Sequence, residues 1–487
     1  MAIHPEHKKL HIAMLPWLAF GHMLPYLELA KHIAKKGHKI SFISTPRNIS
    51  RLPKLPSKYS PYIHFVKIPL PLVENLPETA EATIDLPREK IQYLKIAYDG
   101  MRDSVSQFLQ TAKPDWIFFD FAAYWAGPIA KENNVPSVFF TIVIAAVLGF
   151  CGPAPALMAG YGSLDELQVL TTSPKWVKFP STVAYRLYEV LRMQDSFIGN
   201  VSEASDIYRF GAGIQSCDLL ALRSCSEFEP QWLHVLEELH QKPVFPVGQL
   251  SPLTVDNGDD EKNVAWTGLE STIKQWLDSQ EKRSVVYVAF GSEVKPSQDE
   301  LTEIAHGLEL SRLPFFWVLR KQLGEFDTEM IELPEGFEER TKGRGVVCTG
   351  WAPQLKILSH ESVGGFLTHS GWSSVVEAIS YEKALILLPF LNDQGLNARL
   401  LEEKKMAYSI PRDEREGTFT RDSVADSLSL VILGERGKVY RENAKSMREL
   451  FADKERQEMY VENLMEYLQE HREIKKENGD TTQIKES

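Results

Sequence analysis

The chain has 487 residues, more than one hydrophobic core usually organises, so its length predicts at least two domains. Hydrophobic residues make up 43% and charged residues 25% of the chain, which is ordinary for a globular protein and excludes a disordered one. The formal net charge of −12 argues against nucleic-acid binding, because that function requires a basic face.

Neither export nor membrane insertion is indicated. Residues 1–9 are polar, and the apolar run that follows meets Pro16 too early for the core of a signal peptide. The longest apolar run, 138–150, is shorter than the roughly 20 residues that span a bilayer. The four cysteines lack the paired spacing of zinc sites and are too few for a disulfide scaffold. We therefore expect a cytoplasmic protein without a membrane span.

Apolar runs and helical patterns alternate along the first half of the chain. Residues 25–35 have the apolar spacing of a helix. Strands are predicted at 10–15, 39–44, 116–120, 137–141 and 218–223. This alternation is typical of a parallel sheet covered on both faces. The pattern predicts one α/β domain over residues 1–250.

A stretch rich in proline, glycine and acidic residues at 246–260 predicts a linker. A second series of strands is predicted at 284–290, 315–320, 345–349, 365–368 and 384–388. Helical patterns separate these runs, so we predict a second doubly wound domain over 251–455. A C-terminal helix over 456–474 is expected to pack back on the first domain, and the charged tail 475–487 is expected to be disordered.

The densest cluster of informative residues lies between 351 and 394. A predicted strand ends at Thr368, and a helix begins at about Ser373 after His369, Ser370 and Gly371. The start of a helix presents free backbone N–H groups and a positive dipole end, which favour a diphosphate. The serine hydroxyls and the imidazole add further donors, and the glycine permits close backbone approach. The pattern predicts a diphosphate site here.

Other side chains of the cluster fit the rest of a nucleotide sugar. Trp351 offers a flat face to a nucleobase, and the Glu377 carboxylate suits two ribose hydroxyls. Asp393 and Gln394 suit the hydroxyls of a sugar. Each of these residues is common in ordinary cores and on ordinary helix surfaces, so the inference depends on their joint spacing.

The cluster closely resembles the signature box of the plant UDP-sugar-dependent glycosyltransferases of small molecules, known as family 1. The matching residues are Trp351, Gln354, His360, Gly365, Phe366, Thr368, His369, Gly371, Trp372, Ser374, Glu377, Pro389, Asp393 and Gln394. The resemblance implies the GT-B fold, in which two Rossmann-like, doubly wound α/β domains face each other across a cleft. It also implies a UDP-sugar donor.

The resemblance assigns a role to each donor-binding residue. It implies that Trp351 and Ala352 contact uracil, that Gln354 and Glu377 bind the ribose, that His369, Gly371, Ser373 and Ser374 hold the diphosphate, and that Trp372, Asp393 and Gln394 bind the sugar. Gly291 and Ser292, after a predicted strand, resemble a further phosphate contact. The family usually has asparagine where this chain has Ser373, so we expect that contact to be lost or mediated by water.

His22 is the candidate catalytic base. An alcohol must lose its proton as it attacks a sugar carbon, and histidine commonly accepts such protons near neutral pH. His22 follows the first strand at a strand-to-helix turn, and Asp120 ends the strand predicted at 116–120. Both should emerge at the carboxyl edge of the sheet, where a carboxylate can orient the imidazole. The resembling family has its catalytic pair at these places; the alternatives are a core histidine and an aspartate that caps a helix.

The expected reaction is a single displacement that inverts the anomeric carbon, because one base and one diphosphate leaving group suffice. Metal-ligand spacing is not found in the sequence, so we expect no metal and no cofactor beside the UDP-sugar co-substrate. A lipophilic acceptor should bind in the first domain. There residues 142–150 and 153–158 either wall a pocket or form ordinary core.

The residues around His22 also bear on the acceptor. The sequence Pro-Trp-Leu-Ala-Phe-Gly-His, followed by Leu-Pro-Tyr-Leu-Glu-Leu-Ala, resembles the branch of the family that extends existing glycosides. We therefore expect transfer to a flavonoid, triterpenoid or steroidal glycoside. We also expect the protein to be a monomer. Gln394 fits the family's tendency toward UDP-glucose, and UDP-rhamnose is the second candidate. Transfer to bare aglycones and a non-catalytic binding protein remain the alternatives. A nicotinamide enzyme would require a Gly-x-Gly-x-x-Gly turn after a strand, and neither half of the chain has one.

Overall fold

The chain folds into two parallel β-sheets, one in each half of the sequence. The structure is a computed structural model and describes residues 9–163, 165–252, 269–320 and 330–483. Among these residues, no helix is both long enough and apolar enough to cross a bilayer. The predicted fold class, two Rossmann-like α/β domains, is confirmed.

The first sheet has seven strands in the order β3-β2-β1-β4-β5-β6-β7. The strands are β1 (His11–Leu15), β2 (Lys39–Ser44), β3 (Ile63–Lys67), β4 (Trp116–Phe119), β5 (Ser137–Thr141), β6 (Leu219–Leu222) and β7 (Val244–Pro246). The sequence pattern did not predict β3 and β7. Both are edge strands and are only partly buried, so their apolar signal is weak.

Helices connect these strands and cover the sheet. They are α1 (Phe20–Lys35), α2 (Pro46–Arg51), α3 (Ile91–Asp99), α4 (Arg102–Ala112), α5 (Ala126–Glu132), α6 (Ala145–Cys151), α7 (Ala154–Ala159), α8 (Leu187–Arg192), α9 (Gln194–Ile198), α10 (Asp206–Ser216) and α11 (Pro230–His240). Alternate residues of β1 enter different cores: Ile12 and Met14 one cluster, Ala13 and Leu15 another. Both faces of the sheet are therefore buried, as parallel sheets require.

The second sheet has six strands in the order β10-β9-β8-β11-β12-β13. They are β8 (Val285–Ala289), β9 (Phe315–Val318), β10 (Gly345–Cys348), β11 (Val363–Thr368), β12 (Ala384–Leu387) and β13 (Ala407–Ser409). The sequence pattern missed β13, a three-residue edge strand. The helices are α12 (Leu269–Asp278), α13 (Gln298–Ser311), α14 (Phe337–Arg340), α15 (Gln354–Ser359), α16 (Trp372–Ser380), α17 (Gln394–Glu403), α18 (Arg421–Ile432), α19 (Lys438–Ser446), α20 (Arg448–Ala452) and α21 (Lys454–Gln483).

The start of the linker predicted at 246–260 is held firmly, and the rest of it, 253–260, lies outside the described residues. Val247 and Leu250 are buried. The Gln457 side chain on α21 donates to the Val247 carbonyl at 2.6 Å and accepts from the Leu250 N–H at 2.9 Å. Since these hydrogen bonds fix its backbone, this stretch is a packed segment and not a free spacer.

The last helix returns to the first domain. Residues of α21 join the core cluster that contains β1 and α1, and Trp116 Nε1 donates to the Leu468 carbonyl at 3.1 Å. The helix continues to Gln483, into the tail 475–487 that we expected to be disordered; 484–487 lie outside the described residues. Residues 475–477 favour helix, and extending an existing helix needs no new nucleus, whereas residues 478–482 have low helix propensity.

We predict that α21 contributes directly to the stability of the first domain. Leu464 is fully buried in the shared core, so Leu464→Ala should lower the free energy of unfolding by about 2–5 kcal/mol. Met459 on the same helix is 46% exposed, and Met459→Ala is the matched control with an effect within about 0.5 kcal/mol. Denaturant unfolding followed by tryptophan fluorescence measures both. Equal effects of the two variants would contradict the packing described.

Candidate active site

His22 and Asp120 form a hydrogen-bonded pair at the carboxyl edge of the first sheet. His22 lies in the first turn of α1, which begins at Phe20 and so includes the turn predicted to precede it. Asp120 directly follows β4, and β4 pairs with β1. His22 Nδ1 and Asp120 Oδ2 are 2.7 Å apart. Adjacent parallel strands thus bring together two residues that are distant in the sequence.

The Asp120 carboxylate is fixed by backbone donors. It is fully buried, its Oδ2 accepts from the Trp17 N–H at 3.2 Å, and its Oδ1 accepts from the Phe121 N–H at 2.8 Å. The contact with Phe121 caps a short 3₁₀ turn, so Asp120 also plays the capping role considered as an alternative. A carboxylate held in this way keeps the His22 proton on Nδ1 and leaves Nε2 as the basic atom.

Charge and burial act on His22 in opposite directions. Burial alone would lower the pKa of its imidazole, whereas the charge of Asp120 and the hydrogen bond to it raise the pKa, helped by Glu293 and Asp393. The net effect raises the pKa above the ordinary value of 6.5. The imidazole side chain is 19% exposed, so its free nitrogen can be reached.

A cavity of about 520 Å³ opens at His22. Trp17, Phe121 and Phe210 give it an aromatic wall. The segment 142–150 contributes further apolar lining, but 153–158 does not line the cavity. Those residues belong largely to α7, which packs on α10 instead through the buried Ala154 and Leu157 and leaves Pro155 and Ala156 exposed.

The second domain also lines this cavity, adding polar side chains to those that the first domain supplies. Glu293, Asn392 and Asp393 all line it. Glu293 Oε1 accepts a hydrogen bond from Thr83 Oγ1 at 2.7 Å, across the two domains. The cavity is therefore interdomain, and it includes residues of the first domain, where we expected the acceptor to bind. Glu293 follows the predicted phosphate contact Gly291–Ser292, which was the available sequence signal.

The expected diphosphate site is built where β11 ends at Thr368 and α16 begins at Trp372. The His369 ring lies between two glycines: a Cβ on Gly371 would come within 2.3 Å of His369 Nε2, and one on Gly291 within 2.9 Å. Gly291 also has a φ of +77°, which other residues rarely adopt. These positions therefore require glycine.

His369 is neutral at physiological pH, because burial lowers the pKa of its imidazole to about 4. Its Nδ1 lies 3.2 Å from Thr368 Oγ1. If this hydroxyl donates to Nδ1, the remaining N–H is at Nε2, beside the start of α16. Ser374 is nearly buried and Ser373 half-buried on the first turn of the helix, so backbone, hydroxyl and imidazole donors converge there.

One residue of this site was not predicted from the sequence. Arg223, directly after β6 of the first domain, donates from Nη1 to Ser373 Oγ at 2.7 Å. Its position at the carboxyl end of a predicted strand was a signal that it shares an edge with His22 and Asp120. Its contact with a helix of the other domain left no sign in the sequence.

The expected uracil and ribose contacts lie on β10–α15 and on α16. Trp351 is 72% exposed, so its ring face is open to a base. Ala352 beside it is half-buried. Gln354 Nε2 donates to Glu377 Oε2 at 2.6 Å, and Tyr287 donates to Gln354 Oε1 at 3.2 Å. Burial raises the pKa of Glu377 despite the opposing hydrogen bond from Gln354. The structure thus pairs the two residues assigned to the ribose.

The residues assigned to the sugar differ in what they can offer. Asp393 Oδ2 accepts from Asn397 Nδ2 at 2.9 Å, and Asp393 faces the cavity with His22. Gln394 Oε1 accepts two backbone N–H groups, from Phe390 and Leu391, which leaves its NH₂ group for a ligand.

The Trp372 side chain lies away from the cleft, unlike Asp393. Its indole is 4% exposed, donates to Gln249 Oε1 at 2.9 Å and packs against Phe228 and Phe451. A large aromatic ring gains more from this buried interdomain contact than from exposure. The assignment of Trp372 to the sugar stays a prediction, in which only its backbone is left to make the contact.

In the ranges that the structure describes, no group of three or more His, Cys, Asp or Glu side chains is placed to hold a metal ion. The cysteines Cys151, Cys217, Cys225 and Cys348 are all free thiols.

We predict that Asp120 sets the pKa of His22. Asp120→Asn removes the negative charge, so burial should dominate and the pKa of His22 should fall below its wild-type value. NMR titration of protein with labelled histidine measures this pKa, and His22→Ala identifies the resonance. An unchanged pKa in Asp120→Asn would contradict the pairing.

Residues 250–471 match the family described as UDP-glucoronosyl and UDP-glucosyl transferase. The chain is 52% identical over 464 residues to UDP-glycosyltransferase 91A1 of Arabidopsis thaliana, covering 94% of this chain and 97% of that protein. It is 45% identical over 467 residues to the soyasaponin III rhamnosyltransferase of Glycine max, covering 96% of each.

The fold is also similar to solved structures. The crystal structure of Arabidopsis thaliana UGT89C1 complexed with UDP-L-rhamnose has a TM-score of 0.71 and 25% identity, covering 95% of this chain and 99% of that one. Together with the identity to the Arabidopsis and soybean proteins over nearly their whole lengths, this similarity shows that the chain belongs to the plant family 1 UDP-glycosyltransferases and is an enzyme with their GT-B fold.

Proposed function

We propose that this enzyme transfers a sugar from UDP-glucose, with UDP-rhamnose as the second candidate donor, to a sugar hydroxyl of a lipophilic glycoside. The acceptor classes are flavonoid, triterpenoid and steroidal glycosides. The observation that carries the proposal is the interdomain cavity at His22, in which an aromatic wall from the first domain lies beside polar side chains from both domains.

Each part of the cavity favours one part of a glycoside. Trp17, Phe121 and Phe210 suit the ring system of an aglycone. Glu293 and Asp393 line the cavity with His22, and their charges help to raise its pKa, so both carboxylates lie near the place where an acceptor hydroxyl would react. Each carboxylate already accepts one hydrogen bond, and the several hydroxyls of a sugar can use the acceptor capacity that remains, whereas a bare aglycone would leave more of it unused.

The relatives support the same acceptor class. The soybean protein is named for a saponin, and a saponin is itself a glycoside. That name and the UDP-L-rhamnose in the Arabidopsis complex support UDP-rhamnose as a donor. Gln394, whose NH₂ group is free to bind a sugar hydroxyl, fits the family's tendency toward UDP-glucose. Both donors therefore enter the experiment.

In the proposed mechanism His22 is the catalytic base. The acceptor hydroxyl donates its proton to Nε2 as its oxygen attacks the anomeric carbon of the donor. Nδ1 keeps its proton and its hydrogen bond to Asp120, whose carboxylate stabilises the imidazolium that forms. One glycosidic bond forms while the bond between the sugar and the diphosphate breaks, so the configuration of the anomeric carbon inverts.

The leaving group is UDP, and the start of α16 receives its charge. Backbone N–H groups at the N-terminus of a helix stabilise an anion, and the His369 imidazole and the Ser373 and Ser374 hydroxyls add donors. The proposal invokes no metal and no cofactor beside the UDP-sugar.

The expected activity is UDP release that requires a glycoside and His22. We predict that His22→Ala lowers kcat/KM by about 10²–10⁴-fold, the usual contribution of a general base. His234→Ala, at a side chain that is 68% exposed, is the matched control and should keep wild-type activity. The assay measures UDP release from UDP-glucose and UDP-rhamnose with a panel of glycosides and their aglycones.

Other outcomes of this assay would contradict particular parts of the proposal. Turnover on aglycones alone would contradict the glycoside acceptor, and full activity of His22→Ala would place catalysis elsewhere. Binding of UDP-sugar without turnover on any acceptor of the panel would contradict the proposed acceptor classes.

The pH dependence gives a second test. Because the pKa of His22 is raised above 6.5, the imidazole is protonated and inactive as a base at lower pH. We predict that log kcat/KM rises with pH to a plateau, with a midpoint above 6.5. Asp120→Asn should move this midpoint to lower pH and reduce the plateau. A pH profile with the same midpoint in both proteins would contradict the role of the pair.

A further inference from the structure

Arg223 is a buried cation at the boundary between the two domains. It is 2% exposed and directly follows β6. Its Nε donates to the Gln249 carbonyl at 2.6 Å, and its Nη2 to the Leu250 carbonyl at 3.4 Å. Its Nη1 donates to Ser373 Oγ at 2.7 Å. The guanidinium is thus aimed by the start of the linker at the first turn of α16.

The guanidinium has no anionic partner among the residues that the structure describes. Its hydrogen-bond acceptors are two carbonyls and a hydroxyl, and the carboxylates of Glu377 and Glu28 act on it only through longer-range charge. Burial lowers the pKa of Arg223 to about 10. A buried charge without a counter-ion costs free energy, so the buried guanidinium favours the binding of an anion.

The N-terminus of α16 also favours the binding of an anion. The positive end of the helix dipole lies at Trp372 and Ser373, where a second positive charge is unfavourable unless an anion binds between them. The contact with Arg223 uses Ser373 Oγ as an acceptor, which leaves the hydroxyl proton free to donate onward. Ser373 is half-buried, so a ligand can reach this proton.

We propose that Arg223 is a positioning residue for the donor: acting through the Ser373 hydroxyl, it holds the diphosphate of UDP at the start of α16. The guanidinium orients the hydroxyl and supplies the counter-charge, while the hydroxyl donates to a phosphate oxygen. A cation from the acceptor domain thereby completes the donor site of the other domain. This pair does the work of the longer asparagine that the family usually has at position 373.

The start of the linker contacts both Arg223 and the first turn of α16. Gln249 accepts from Arg223 through its backbone carbonyl and from the Trp372 indole through its side chain, at 2.9 Å. Leu250, which also accepts from Arg223, has a φ of +49°, an unusual conformation for a residue with a side chain. These contacts fix Arg223 and the first turn of α16 relative to each other.

The test compares the binding of UDP with that of uridine by isothermal titration calorimetry. Uridine lacks the diphosphate, so only UDP should report on Arg223. We expect Arg223→Met to raise the Kd of UDP about tenfold to hundredfold and to leave the Kd of uridine unchanged. Arg223→Lys, which keeps the charge and loses the fork, should have an intermediate effect. Arg209→Met, at an equally buried arginine paired with Asp99, is the control and should leave the UDP-to-uridine ratio unchanged.

Ser373 variants test the same pair if Arg223→Met fails to fold. Ser373→Ala should weaken UDP and spare uridine, and its effect should not add to that of Arg223→Met. In the Arg223→Met background, Ser373→Asn should recover part of the UDP affinity, because the longer amide reaches the phosphate itself. Equal losses for UDP and uridine, or no loss for either ligand, would overturn the role of Arg223.

The inference rests on the proposed placement of the diphosphate at α16, and His369→Ala tests that placement separately. An unchanged UDP-to-uridine ratio in His369→Ala would refute the donor site itself. Selective loss of UDP in His369→Ala beside an unaffected Arg223→Met would overturn only the role of Arg223. No acceptor is needed in these measurements, so they do not depend on the proposed glycoside.

Discussion

The parallel pairing of β1 with β4 is the constraint on which the candidate chemistry depends. Parallel strands place their carboxyl ends at one edge of a sheet, so the residues after Leu15 and Phe119 become neighbours. The 2.7 Å contact between His22 and Asp120 follows from this pairing. β11 of the second sheet delivers His369 and the start of α16 to its own carboxyl edge in the same way.

Contacts between the domains place the carboxyl edges of the two sheets at one cleft. One hydrophobic cluster contains residues of both halves, so the two sheets share part of their core. Polar links join the rims of the cleft: Thr83 with Glu293, Arg192 with Glu300, and Arg399 with Glu189. A site between two domains can receive a base from one and a leaving-group anchor from the other, which a single displacement needs.

Local patterns predicted much of this structure, and contacts across the chain account for what they missed. Apolar periodicity found the buried strands and the start of α16, because those signals lie within a few residues. It missed the weakly apolar edge strands β3, β7 and β13. It also missed Arg223 and Glu293, whose partners Ser373 and Thr83 lie in the other domain. The burial of the Trp372 indole against Gln249 is likewise a contact across the chain that the sequence did not indicate.

The central claim is a single displacement by an alcohol that His22 deprotonates, and the configuration of the product tests it most directly. The sugar of UDP-glucose is α-linked, so inversion at the anomeric carbon must give a β-linked product. Proton NMR of the purified product distinguishes the two linkages by the coupling of the anomeric proton. The mechanism predicts the large coupling of a β-glucoside. An α-linked product would contradict it and would require a second nucleophile in the cleft.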